Sequence, residues 1–125
     1  MLLLDAGALI AIERDDRDVV ALIKLELGAG RAPRTHGGIV GQVWRGGSGR
    51  QARLARLLPG VEIAALDSQL GRSAGMLLKT SKSSDVIDAA LVALAGDGDD
   101  ILTSDVKDIH LLAVAAGVQV ELVPV

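Results

Sequence analysis

Short apolar runs recur along this chain, each handing over to an amphipathic stretch, and this alternation restricts the fold more than any other feature of the sequence. "MLLL" and "ILT" read as buried strands, and "VEIAAL" and "VQVELVPV" as further strands. Between them, "DAGALIAIER" turns into a helix, and "DRDVVALIKLELGAG" sets Val19, Val20, Ile23 and Leu27 at helical spacing before Gly28 and Gly30 end it. "GGIVGQVWRGG" reads as a short helix bounded by glycines. "RQARLARLLPG" follows, with Leu54, Leu57 and Leu58 on one face and Pro59-Gly60 as its stop. "DSQLGRSAGMLLK", "DVIDAALVALAG" and "DVKDIHLLAVAAG" complete the helices, with "TSKSS" as a polar loop. Strands that alternate with helices are joined by right-handed crossovers. The expected fold is therefore α/β: a three-layer sandwich with a mostly parallel central sheet flanked by helices. No long linker or low-complexity tract interrupts it, so residues 1–125 are expected to form a single domain.

Composition narrows the core and the setting. Half of the residues are apolar, yet Phe and Tyr are absent and Trp44 is the only aromatic. Leu, Val, Ile and Ala must build the interior. With no cysteine there is neither a disulfide framework nor a thiolate zinc site, which is compatible with a reducing cytoplasm. The first residues have no basic leader, and Asp5 breaks the apolar run early, so neither a signal peptide nor a membrane span is expected. A net charge of −3 means that any nucleic-acid contact needs a local basic patch or bound cations.

The acidic residues fall where such a fold concentrates function. Crevices in open parallel sheets lie beyond the carboxyl ends of the strands. Asp5 directly follows "MLLL", and Asp105 follows the "ILT" strand. Asp85 and Asp88 open the helix that leads into that strand. Asp is also a good N-cap, and a second Asp in the first turn suits the helix dipole. The two phrases "DVIDAALVALAG" and "DVKDIHLLAVAAG" can thus be read as helix-start grammar alone. Several carboxylates converging from separate segments, however, repel and resist desolvation unless a cation compensates. Hard divalent ions such as Mg²⁺ or Mn²⁺ take oxygen ligands of this kind, and the matching chemistry is metal-assisted hydrolysis of a phosphodiester.

Taken in order, "LLLDAGALIAIERDD", "GIVGQVWRGG", "SSDVIDAALVALA" and "ILTSDVKDIHLLA" resemble a PIN domain, and more narrowly a VapC-type toxin of a toxin–antitoxin pair. The resemblance spans nearly the whole chain. It implies a Mg²⁺- or Mn²⁺-dependent endoribonuclease, usually a homodimer, that cuts RNA and is held inactive by a small antitoxin protein. By position it makes Asp5, Asp88 and Asp105 the catalytic and metal-binding acids, with Thr103 or Ser104 supporting them by hydrogen bonding. A domain of the same fold that binds RNA or a protein partner without cutting is the alternative.

One position departs from the family. Gln42 stands where a Glu is usual, and a neutral amide adds no charge to a metal site. Asp85, one helical turn before Asp88, is the first candidate to supply that charge, against its reading as a plain N-cap; Asp108 stands likewise to Asp105. Arg45, Arg50, Arg53 and Arg56 form the basic concentration, the last three along one helix side. They face either RNA phosphates, an acidic part of the antitoxin, or solvent. Trp44 reads as a core or interface aromatic, and His36 and His110 as structural or exposed. No Ser-His-Asp order is present, and "GGSGRQ" lacks the Lys-Ser/Thr of a P-loop.

Overall fold

The computed structural model describes all 125 residues. Five strands, β1 (Leu2–Leu4), β2 (Arg34–His36), β3 (Glu62–Ala64), β4 (Asp100–Thr103) and β5 (Glu121–Pro124), form one sheet in the order β3-β2-β1-β4-β5, with every neighbouring pair parallel. Seven α-helices connect them: α1 (Ala6–Glu13), α2 (Arg17–Gly28), α3 (Gly37–Val43), α4 (Ala52–Leu57), α5 (Ser68–Ser81), α6 (Val86–Leu94) and α7 (Val106–Ala116). α2, α3 and α4 pack on α1, while α5, α6 and α7 pack on one another, so two separate helix groups flank the sheet. No helix is long and apolar enough to cross a membrane.

The apolar runs account for this arrangement. All of β1 is buried, as are Ile101, Leu102 and Thr103 of β4, and around them pack Leu9 and Ile12 of α1, Leu91 of α6, and Ile109 and Leu112 of α7. Each such Leu or Ile contributes about 1.5–3 kcal/mol by leaving water. Aspartates start most of the helices: Asp5, Asp16, Asp67, Asp85 and Asp105 each accept main-chain N–H bonds at the N-termini of α1, α2, α5, α6 and α7.

Three local features differ from the sequence expectation. β2 is an additional strand, invisible to a search for apolar runs because it reads Arg-Thr-His. Its place is fixed by tertiary contacts: the Thr35 hydroxyl donates to the Leu4 carbonyl of β1 (2.8 Å), and His36 is fully buried. α5 continues through Thr80 and Ser81, which the polar composition assigns to a loop; the helix ends only at Lys82, in the left-handed conformation. The "RQARLARLLPG" helix is shorter than its pattern, since 3-10 turns at Gly49–Gln51 and Leu58–Gly60 flank the six residues of α4.

The chain moves outward from β1 to β2 and β3, then returns to place β4 on the other side of β1. The order reverses between β1 and β4, and the carboxyl ends of those strands deliver Asp5 and, after Ser104, Asp105. Close packing at this point requires Gly7, because a Cβ there would collide with Cβ and Oγ of Ser104 and lie 3.2 Å from Asp5 Oδ1. Gly7→Ala is therefore expected to lose about 1–3 kcal/mol of stability. Urea unfolding of the two proteins measures it, and an unchanged midpoint would contradict this packing.

Candidate acidic site at the β1–β4 switch point

Asp5 is the structural pivot of the rim. Only 3% exposed, it accepts from Ala8 N through Oδ1 (2.9 Å) and from Ser104 N through Oδ2 (3.0 Å), while its own N–H donates to Leu102 O (3.1 Å). The side chain thus caps α1 and holds the residue just beyond β4. Thr103, fully buried, accepts from Asp105 N through Oγ1 (2.8 Å), and Asp105 Oδ1 in turn caps α7 at Asp108 N (3.3 Å). Thr103 and the Ser104 main chain both orient acids, whereas the Ser104 hydroxyl packs over Gly7.

Three carboxylates converge. Asp88 in the first turn of α6, and Asp105 and Asp108 at the start of α7, offer oxygens that all lie within 4.8 Å of one another. Asp5 is not in this group of three, but its charge and that of Asp85 both act on Asp88. Asp85 caps α6, with Oδ1 accepting from Ile87 N and Asp88 N (both 3.0 Å). None of the five ion pairs of the molecule involves any of these acids. Burial, followed by the charges of Asp85, Asp5, Asp108 and Asp105, pushes the Asp88 carboxyl up to about 7.

Two further residues hold the site, and neither function was readable from spacing. Ser83 Oγ donates to Asp108 Oδ2 (3.1 Å) and accepts from Asp85 N (3.3 Å), so the loop before α6 is tied to α7. No sequence interval links position 83 to 108. His36 Nδ1 accepts from Gly38 N (3.1 Å), which leaves Nε2–H to donate to Ile87 O (2.9 Å). Burial lowers the His36 pKa, the bond to Ile87 opposing it, and the neutral ring fixes the tip of β2 against the first turn of α6. His110 is exposed on α7.

The remaining candidates lie elsewhere. Gln42 is exposed on α3, in the wall of a cavity that also includes Glu13, Arg14, Arg45 and Arg50. Arg53 and Arg56 line a different pocket, with Lys24 and Asp15. The four arginines of the basic concentration are therefore split between two places, because the 3-10 turn at Gly49–Gln51 interrupts the helix that would have aligned them. Trp44, 37% exposed, is not a core residue; its ring lies over Gly47, where a Cβ would collide with it.

The raised pKa of Asp88 has a consequence for stability. Between its ordinary 3.8 and about 7, the folded protein retains a proton that the unfolded chain has released. Asp88 thus favours folding at low pH, and this contribution is lost as pH rises through the folded value. In the presence of EDTA, the melting temperature of the parent relative to Asp88→Asn is expected to fall between about pH 4 and pH 7, leaving Asp88→Asn the more stable at pH 8. Parallel pH profiles for the two proteins would rule out the crowding of charge at this site.

No family model and no characterised protein sequence matches the chain. Solved structures do. VapBC2 from Rickettsia felis, bound to a DNA fragment from its promoter, is similar with a TM-score of 0.69 at 12% identity, over 98% of each chain. FitAB bound to the IR36 DNA fragment is similar with a TM-score of 0.64 at 17% identity, over 98% of this chain and 94% of that one. At these identities the likeness concerns architecture: a parallel five-stranded sheet flanked by helices, in an order that brings Asp5 and Asp105 to one rim. The chain has the PIN-like fold of these structures.

Proposed function

We propose that this protein is a divalent-metal-dependent endoribonuclease, acting as the toxin of a type II toxin–antitoxin pair. One observation carries the reading: Asp88, Asp105 and Asp108 converge within 4.8 Å at the β1–β4 switch point with no protein cation to balance them. The fold shared with VapBC2 and FitAB supports it.

The donor set fits a hard cation. All three groups are carboxylates, and burial together with the neighbouring acids disfavours the charged form of Asp88 in the metal-free arrangement. Asp88, Asp105 and Asp108 would hold Mg²⁺ or Mn²⁺, with Asp5 and Asp85 adding negative charge beside them. When bound, such an ion lowers the pKa of water and offsets charge developing on a phosphodiester. The protein's own part is positional. Ser83 fixes one oxygen of Asp108, the capping bonds fix one oxygen each of Asp85 and Asp105, and their second oxygens are left for ligation. Exposed apolar side chains, Met76 on α5, Leu111 and Val114 on α7, and Leu22 and Leu25 on α2, support contacts with a second copy and with an antitoxin.

Gln42 favours the alternative, a non-cleaving domain of this fold, because it leaves the family's Glu position neutral. In the present reading Asp85 compensates.

Added Mg²⁺ or Mn²⁺ should raise the melting temperature of the parent through binding to the folded state. Asp105→Asn should remove most of that gain and abolish RNA cleavage. It is a cleaner probe than Asp5→Asn, since the Asn oxygen can still cap α7, whereas an amide NH₂ at position 5 would meet the Ser104 N–H. Absence of any metal-dependent shift at millimolar concentrations, or cleavage that survives EDTA, would end the proposal.

The role of Asp85 is separable. Asp85→Ser retains the cap at little cost in stability, so a marked loss of cleavage at limiting Mg²⁺, partly rescued by Gln42→Glu, is the expected result. Rates equal to the parent's would reduce Asp85 to a helix cap.

A further inference from the structure

The largest cavity of the molecule, about 500 Å³, is not the acidic site but lies between α1, α3 and the 3-10 turn that precedes α4. Its wall carries Arg14, Arg45 and Arg50, with Glu13 as the one acid and only Ile10 and Val43 as apolar residues. Glu13 engages Arg50 at 3.5 Å. Arg14 and Arg45 pair with no carboxylate: Arg45 Nη1 donates only to the carbonyls of Trp44 (2.6 Å) and Gly41 (3.3 Å), which holds its guanidinium against the C-terminus of α3, and Arg14 is exposed with no partner. In a chain of net charge −3 this is a local positive excess.

The wall is pre-formed. Gln51, 5% exposed, accepts from Arg45 N (2.7 Å) and Gly47 N (3.2 Å) through Oε1 and donates to Val43 O through Nε2 (2.8 Å). One buried amide therefore fixes the loop that follows α3, including the left-handed Gly46 and Gly47, and with it the root of Arg45. Ile10 and Arg14 also belong to a neighbouring pocket, which has Asp16 as its one acid and extends to Gly7 and Ser104, the residues packed beside Asp5. From Gly7 to Arg14 is about 10 Å along α1, a span of about three nucleotides of stacked strand.

We propose that the Arg14–Arg45–Arg50 cavity is a phosphate-binding subsite for single-stranded RNA, holding the strand a few nucleotides from the bond at the acidic site. The proposal rests on the ribonuclease reading. Guanidinium groups bind phosphate oxygens in bidentate fashion and remain charged at any physiological pH. An acidic protein segment is the competing occupant, and the paucity of apolar lining disfavours it, since a docked segment gains most from burying apolar side chains.

The test measures binding of a fluorescently labelled single-stranded RNA in EDTA, by anisotropy across a salt titration, for the parent, Arg14→Ala, Arg14→Ala/Arg45→Ala, and Arg53→Ala as a comparison outside the cavity. Each lost phosphate contact should flatten the dependence of log affinity on log salt by about 0.7, so the double variant should lose about 1.4 and Arg53→Ala nothing. The exposed Arg14 side chain makes no ion pair, so Arg14→Ala alone keeps the experiment readable should the double variant fold poorly. If the parent binds and cleaves RNA but the arginine variants keep its salt slope and KM, the subsite is wrong and the nuclease reading stands. If the slope falls as expected but no divalent metal supports cleavage, the subsite stands and the nuclease reading fails. Failure of the parent to bind RNA, or capture of polyglutamate in place of RNA through the same arginines, overturns the subsite.

Discussion

The arrangement turns on one buried carboxylate. Asp5 links the end of β1, the first turn of α1 and the residue beyond β4 through three hydrogen bonds, two to its side chain and one from its main chain. Each is worth about 1 kcal/mol net, but leaving such a buried group unpaired costs more. Their larger effect is geometric. β1 and β4 pair in register over Leu2 to Leu4, and Asp5 carries that register into the loop, so that Ser104 and Asp105 emerge at a fixed height on the rim. Gly7 is the steric counterpart, since only a residue without Cβ lets α1 start this close to Ser104.

What the rim gains in order it loses in electrostatic comfort. Four aspartates, Asp5, Asp85, Asp105 and Asp108, act on Asp88, and no Lys or Arg answers them. A protein selected for stability alone would place neutral caps such as Ser or Asn at these helix starts, at similar capping value. Carboxylates in their place store unfavourable interaction that a divalent cation would relieve.

Charge is segregated on this molecule. Asp88, Asp105 and Asp108 gather at the switch point, while Arg14, Arg45 and Arg50 line a separate cavity, and Arg53 and Arg56 face another pocket. In the proposed function, a cation bound at the first region and guanidinium groups at the second would act on the same phosphodiester strand. The 3-10 turn at Gly49–Gln51 creates this division, and the buried Gln51 amide keeps it in place.

The sequence by itself determined the layered α/β fold, because apolar runs of three to six residues alternating with helical spacing have few other ways to leave water. It also determined that Asp5 and Asp105 share a rim, since parallel strands present their carboxyl ends together. Only the tertiary structure decided the rest. β2 became a strand through Thr35 and His36 meeting partners thirty or more residues away, with no apolar signal of its own. Asp108 joined Asp88 and Asp105 because the α6 and α7 starts abut across the sheet end, and Ser83 entered through a bond spanning 25 residues. Helical periodicity aligned Arg50 with Arg53 and Arg56, and a tighter turn separated them. Local spacing records which residues share a face; which faces meet depends on strand order, and that is settled only when the whole core packs.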